Sequence, residues 1–315
     1  MKNINSKSLK RSRNRGSVER ESKLSEHDGD VMTLVKKDVI SVPPTKSIKD
    51  TAKIMIEHEF RRIPVTDPGS GKLLGIVTSM DILNFLGGGD KYNIIKYKCD
   101  DNYLSAINEP VKEIMTRGLI TMNHKANIRE TVKAMVDNHV GAMPIVDKDN
   151  KLVGIVTERD FAFALGGVLT DELVQDFMTT DVITVTPGTS IDYVTKFMVR
   201  NSFRRLPIVS EDEEIPDKTP EKLRGIVTSH DILKFIVDKK IFSQMTSIKA
   251  SEILDDFKIS EVMSQGARTV EPLTKLGDFS KLLKDANIGG VPVVEKEELI
   301  GIITERDILK AINGN

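Results

Sequence analysis

A seven-residue run, Gly-x-x-Thr-x-x-Asp, occurs four times in this 315-residue chain. The copies read GIVTSMD (Gly75 to Asp81), GIVTERD (Gly154 to Asp160), GIVTSHD (Gly225 to Asp231) and GIITERD (Gly301 to Asp307). Each follows a short branched-apolar stretch with a proline: RIPV at Pro64, MPIV at Pro144, LPIV at Pro207 and VPVV at Pro292. Apolar runs before the motif predict strands, and apolar residues at helical spacing after it predict a helix. One supersecondary unit is thus used four times, with a spacing of about 70 to 80 residues between copies. A repeat with a constant polar tip is a repeated site.

The units align from end to end. Each opens with a predicted strand: Val39 to Val42, Leu119 to Met122, Val182 to Val185, and Ala267 to Val270. A helix follows, in which Ile48, Ala52, Met55 and Ile56 share a face in the first unit, as do Ile128, Val132, Met135 and Val136 in the second. Ser47 with Asp50, and Asn127 with Glu130, resemble capping boxes. The proline strand, a polar turn such as DKDN (Asp147 to Asn150), the GIVT strand and a closing helix complete the order. A small sheet with helices on one face leaves its other face bare, so units are expected to pair through sheets or helices.

A second symmetry lies above the first. Odd units carry EFRRIPV (Glu59 to Val65) and SFRRLPIV (Ser202 to Val209) and end Thr-Ser-x-Asp. Even units carry HVGAMPIV (His139 to Val146) and NIGGVPVV (Asn287 to Val294) and end Thr-Glu-Arg-Asp. The expected division is a basic tail over 1–30, then units at 31–90, 91–169, 170–237 and 238–315. The second and fourth begin with a connector that looks helical with a polar face. Two modules result, 31–169 and 170–315. An acidic insertion, 211–222, is expected to be a mobile surface loop.

Seven basic residues crowd the first twenty positions against Glu19 alone, though the whole chain is nearly neutral, with 46 Lys+Arg and 47 Asp+Glu. That tail is expected to be disordered and offers an electrostatic contact to nucleic acid through residues 1–20. No aromatic residue interleaves with its charges, so base stacking is unsupported. No apolar run approaches the roughly 18 residues that span a bilayer, so no membrane partner is expected. The lone Cys99 excludes an internal disulfide and fits a reducing, cytoplasmic setting. No Cys/His spacing suggests a metal, and the five scattered histidines form no catalytic set.

Thr-x-x-Asp is, first, a good helix start: the hydroxyl accepts an orphan amide and the acid favours the positive end of the dipole. The fourfold recurrence adds a second possibility. Free amides at a strand-to-helix junction suit a phosphate, while a carboxylate there suits a ribose diol. Arg61, Arg62, Arg204 and Arg205 are the available phosphate charges. Neighbours on a strand point to opposite faces, so each pair could serve its own unit and another.

Strand–helix–strand–strand–helix units with these motifs resemble cystathionine-β-synthase (CBS) domains. Two in tandem resemble a Bateman module, and four are similar to the γ regulatory subunits of AMP-activated protein kinase and to stand-alone archaeal four-repeat CBS proteins. The resemblance implies an α/β (α+β) fold of paired β-α-β-β-α repeats in a disc-like arrangement. It implies ribose contacts from Asp81, Asp160, Asp231 and Asp307, and phosphate contacts from Thr78, Thr157, Thr228, Thr304 and the four arginines. It places adenine against backbone near Ser41, Thr121, Thr184 and Thr269. Gly141–Ala142 and Gly289–Gly290 depart from the basic pair, so four equivalent occupied sites are not implied.

The expected function is non-catalytic. AMP, ADP or ATP would bind without any further cofactor, and an unidentified regulated protein would receive the signal from a monomer or homodimer. Two alternatives stand beside it: a sensor of S-adenosylmethionine or a related adenosyl compound, and a nucleic-acid-associated regulator anchored by the tail.

Overall fold

The computed structural model describes residues 30–87, 89–169, 171–210, 222–239, 241 and 250–314. The basic tail and most of the acidic insertion lie outside the described residues.

All four repeats form. The opening helices are Ile48–Glu57, Ile128–Asp137, Ile191–Asn201 and Leu276–Ala286. The proline strands are Arg62–Thr66, Ala142–Val146, Arg205–Ser210 and Gly290–Glu295. The GIVT strands are Leu73–Thr78, Leu152–Thr157, Lys222–Thr228 and Glu298–Thr304. The closing helices are Ser79–Leu86, Glu158–Leu165, Ser229–Asp238 and Glu305–Asn313. Their hairpins share one register: Pro64, Pro144, Pro207 and Pro292 stand opposite Ile76, Ile155, Ile226 and Ile302.

Local chemistry explains the starts. Asn127 and Glu130 complete a capping box, with bonds of 2.8 and 3.2 Å. Ser47 makes only the first half, accepting from Asp50 N at 3.0 Å. In the second repeat Asp147 Oδ1 accepts from Asp149 N and Lys151 N, both at 2.9 Å, which tightens the DKDN turn.

The expected opening strands shrink. Only Met122–Asn123 forms a two-residue strand, parallel to the proline strand. In the other repeats a single parallel bridge remains, Val42–Val65, Val185–Ile208 and Val270–Val293. The residues before each bridge leave the sheet and follow the edge of a cleft. The first connector is also less regular than its periodicity suggested. It breaks into short turns at Asp90–Tyr92 and Ile94–Lys98 and a helix at Tyr103–Ile107, and it buries Ile95, Tyr103, Ala106 and Ile107. Its inward face is therefore core, while Lys96, Lys98, Asp100 and Asp101 give it the polar outer face.

Repeats pair in two ways. Ile76 exchanges backbone bonds with Thr116, which leads into repeat 2, and Ile155 does so with Lys36, which leads into repeat 1. Ile302 pairs with Thr179 and Ile226 with Ser264, joining repeats 4 and 3. These segments explain the motif glycine. A Cβ on Gly75 would stand 2.7 Å from Thr116 O, and one on Gly154 2.9 Å from Lys36 O. The close approach that this glycine permits is made by the chain itself.

Helices pair the other way. Ile48, Met55 and Phe85 of repeat 1 share one core with Val194, Met198 and Ile232 of repeat 3, together with the connectors. Val132, Met135 and Phe161 of repeat 2 share another with Phe279, Leu283 and Ile308 of repeat 4. Val31 and Val35 belong to this second core, and Asp30 Oδ1 accepts from Ile128 N at 2.6 Å. Sheet contacts 1–2 and 3–4 with helix contacts 1–3 and 2–4 close a ring, and the first residues of all four closing helices, Ser79, Glu158, Ser229 and Glu305, line one central cavity.

Candidate functional site

Each junction is a capping box first. Thr78, Thr157, Thr228 and Thr304 donate through N and Oγ1 to one oxygen, Oδ2, of Asp81, Asp160, Asp231 and Asp307, at 2.6–2.9 Å. That arrangement commits the threonine proton and leaves each acid one oxygen. Lys91 meets the free oxygen of Asp81. Lys36 and Lys310 stand 3.3 and 3.2 Å from those of Asp160 and Asp307. Among the described residues no cation lies within 4.0 Å of Asp231. The cap acceptor and the oxygen left over are thus different atoms of one side chain.

Clefts open beside these junctions. One of about 470 Å³ joins Thr228 and Asp231 to Gly266, Ala267 and Arg268 of repeat 4, with Arg61, Arg159 and Arg205 in its wall. A second, about 510 Å³, joins Thr304 and Asp307 to Asp181, Val182 and Ile183 of repeat 3, with Arg204 and Arg205. A third, about 210 Å³, joins Thr157 to Asp38, Val39 and Ile40 of repeat 1, with Arg61 and Arg62. Thr78 and Asp81 line a central cavity of about 270 Å³ with all four arginines. Each of the first three therefore pairs the motif of one repeat with the entry segment of its sheet partner. Their linings run one to three residues ahead of Ser41, Thr184 and Thr269. Ser41 instead bonds its own sheet, Oγ to Thr66 Oγ1 at 2.8 Å. Thr121 is partly buried beside the short strand of repeat 2.

The centre is a knot of charge. Arg159 Nε donates to Glu305 Oε1 at 2.6 Å, and Arg306 Nε to Glu158 Oε1 at 2.7 Å, so the two even repeats clasp each other. The odd repeats meet through Ser79 and Ser229, Oγ to Oγ at 3.1 Å. Arg61 stands 3.7 Å from Glu305, and Arg204 3.9 Å from Glu158. Burial, then the Arg159 charge, pushes the Arg61 guanidinium down to about 10. Burial, then Arg204, does the same for Arg62, also to about 10. Arg205 is lowered too, by burial first. All three remain cations at neutral pH. Crowded cations partly stripped of water are poised to take an anion. Arg159 Nη2 is buried with no hydrogen-bond partner among the described residues.

The four arginines singled out from sequence thus converge, each lining more than one cavity. Arg159, Arg306, Glu158 and Glu305 were missed. Their signal was visible: the alternation of Thr-Ser-x-Asp with Thr-Glu-Arg-Asp. Among the described residues no cluster of His, Cys, Asp and Glu could hold a metal, and no helix is long and apolar enough to cross a membrane.

The CBS-domain sequence profile matches residues 29–88, 111–167, 174–238 and 259–314. Protein MJ1225 of Methanocaldococcus jannaschii is 40% identical over 276 residues, covering 87% of this chain and 95% of that protein. Its crystal structure, described as that of a proposed archaeal homologue of g-AMPK, matches with a TM-score of 0.81 at 39% identity, covering 90% of this chain and 99% of that one. A Pyrococcus horikoshii protein shares the fold, with a TM-score of 0.55 at 19% identity over 90% of this chain and 99% of its own. Inosine-5'-monophosphate dehydrogenase of Korarchaeum cryptofilum is 36% identical over 121 residues, 38% of this chain and only 23% of the enzyme. With the profile matched four times and the same register and caps in every repeat, this chain belongs to the CBS-domain family as a four-repeat member.

Proposed function

We propose that this CBS-domain regulatory protein binds adenine nucleotides, with AMP, ADP and ATP competing for the clefts, and that it passes the outcome to a partner protein without catalysing a reaction. The observation that carries this is the Asp231 cleft. Its lining holds the Asp231 carboxylate, which has no cation within 4.0 Å among the described residues, together with Arg61, Arg159 and Arg205. Glu59 is the one other acid in that wall, against these arginines, Lys234 and Arg268. The buried, unpartnered Arg159 Nη2 supports an anionic group as the missing acceptor. A ribose bearing phosphates satisfies the carboxylate and the arginines at once. An adenosyl compound without phosphate would leave the guanidiniums idle.

The sharing of arginines supports sensing of phosphate number. Arg205 lines the Asp231 and Asp307 clefts, and Arg61 lines the Asp231 cleft and the one beside Thr157. A longer phosphate chain in one cleft draws a guanidinium from its neighbour, so ligands with different phosphate counts favour different arrangements of the centre. A ligand shifts such an equilibrium only through its differential affinity for the two states.

Calorimetric titration with AMP, ADP, ATP and S-adenosylmethionine tests the proposal. Arg61→Ala and Arg205→Ala should weaken ADP and ATP by about tenfold to a hundredfold, the loss of one charge-assisted contact. S-adenosylmethionine should be indifferent to both changes. Failure of all three nucleotides to bind the wild-type protein would end it.

A further inference from the structure

Asp81 differs from its three counterparts in what meets its second oxygen. Lys91 reaches it from the connector leaving repeat 1, and the same ammonium donates to the Ile114 carbonyl at 2.5 Å. Both partners are withdrawn from water. The Lys91 side chain is 19% exposed and Asp81 14%, whereas Lys36 and Lys310, at Asp160 and Asp307, are 65% and 44% exposed. The carboxylates are alike, Asp160 and Asp307 being 12% and 6% exposed, so the difference lies in the cation: Lys36 and Lys310 can swing into water, whereas Lys91 is enclosed.

The backbone under Lys91 is held as well. Asn84, one helical turn after Asp81, accepts Lys91 N at 2.9 Å and donates to Asp90 Oδ1 at 2.6 Å. Gly89 N donates to Asn84 O at 3.2 Å, and Tyr92 meets Tyr103 hydroxyl to hydroxyl. Ile114 lies on the segment that runs to Thr116, the sheet partner of Ile76. Lys91 therefore spans from the carboxylate of repeat 1 to the chain leading into repeat 2.

We propose that Lys91 is an internal plug. Its ammonium supplies Asp81 with the donors that a ribose diol would otherwise bring, so this carboxylate, although it borders the central cavity, is taken, and at most three nucleotides bind. This rests on the nucleotide proposal above and specifies which of its sites is silent.

The test is the number of ADP molecules bound, counted by native mass spectrometry and by calorimetry on the full chain. Wild type, Lys91→Arg and Asp81→Asn should bind the same number. Lys91→Met should bind one more, and Lys91→Met with Asp81→Asn should return to the wild-type count. Loss of one ADP in Asp81→Asn, or no gain in a folded Lys91→Met, overturns the plug while leaving nucleotide binding in place. Should Lys91→Met fail to fold, the Asp81→Asn count decides alone. No ADP on any variant or on wild type overturns both proposals.

Discussion

The point where a Cβ would sit on Gly289 lies 2.7 Å from Nη1 of Arg61, a residue of the opposite module. Arg205 Nη2 and Glu305 Oε2 stand 2.9 Å from the same point. Gly141, the counterpart in repeat 2, faces Glu158 Oε2 and Arg204 Nη1 at 2.8 and 2.9 Å. The basic pair of odd repeats and the bare glycine of even repeats are therefore two halves of one fit. The even repeats lack arginines there because arginines from the odd repeats already fill the space.

Gly289→Ala follows directly. The atoms an alanine would meet are the ends of flexible side chains, so stability should fall by less than about 1 kcal/mol. ADP affinity should nonetheless drop about tenfold, since the guanidiniums are displaced from their aim. At Gly290 a Cβ would meet the Ile303 carbonyl at 2.7 Å, and backbone cannot step aside. Gly290→Ala should cost about 1–3 kcal/mol in chemical denaturation. Equal stability losses at the two positions would contradict this account.

The clasp between even repeats gives a second expectation. Glu305 is 6% exposed, and Arg159→Ala would leave it with Arg61 at 3.7 Å. We expect a loss of about 2–4 kcal/mol, near the cost of stranding a buried charge. Glu305→Gln in the same chain should recover part of it, giving a coupling of about 1 kcal/mol or more in a double-mutant cycle. Strict additivity would show that the pair does not hold the ring together.

That clasp also marks where sequence reasoning stopped. Capping at Asn127 and the helix faces around Ile48 and Ile128 were legible because their partners lie within a turn or two, where spacing alone fixes geometry. Arg159 and Glu305 are 146 residues apart, and their contact exists only once the ring closes. The pattern Thr-Glu-Arg-Asp was plain, but its partner was not. The opening strands failed for another reason: Val39 to Val42 has strand composition, yet only Val42 has a neighbour to bridge, so the rest bends along the cleft. The polar face expected of the first connector is there, with Lys96, Lys98, Asp100 and Asp101 exposed, but the helix is broken and its apolar side, through Ile95 and Tyr103, serves a core shared with repeat 3.

His230 offers a test by pH. Burial holds its pKa below the ordinary 6.5, with Arg61 and Lys234 adding to the effect while Asp231 and Glu59 oppose it. Its Nδ1 is buried without a partner among the described residues. Folding favours the neutral ring, so its contribution is complete above pH 6.5 and is lost as pH falls through the folded value. In an NMR titration the His230 ring should change charge below pH 6.5 in the free protein and higher with ADP bound, because a nearby phosphate favours the imidazolium. A free-protein midpoint at or above 6.5 would refute the burial account.

Asp231 can separate capping from the proposed binding role of the repeated acid, since Oδ2 accepts from Thr228 N and Oγ1 at 2.8 Å and leaves the other oxygen free. Asp231→Asn keeps an acceptor for the box but removes the charge and turns the other oxygen, the one proposed to meet ribose, into a donor. Stability should change by no more than about 0.5 kcal/mol, within the range of an exchanged cap residue. Nucleotide affinity in that cleft should fall about tenfold or more, as a charge-assisted bond is replaced by a mismatched one. Asp231→Ala removes both functions, so it should lose about 1 kcal/mol of stability as well as the ligand. The two variants thus share a binding defect and differ in melting temperature. If Asp231→Asn instead binds ADP as wild type does and only Asp231→Ala is altered, the carboxylate is a helix cap and nothing more. The recurrence of the motif would then be explained by the ring's need for four tight strand-to-helix junctions at its centre.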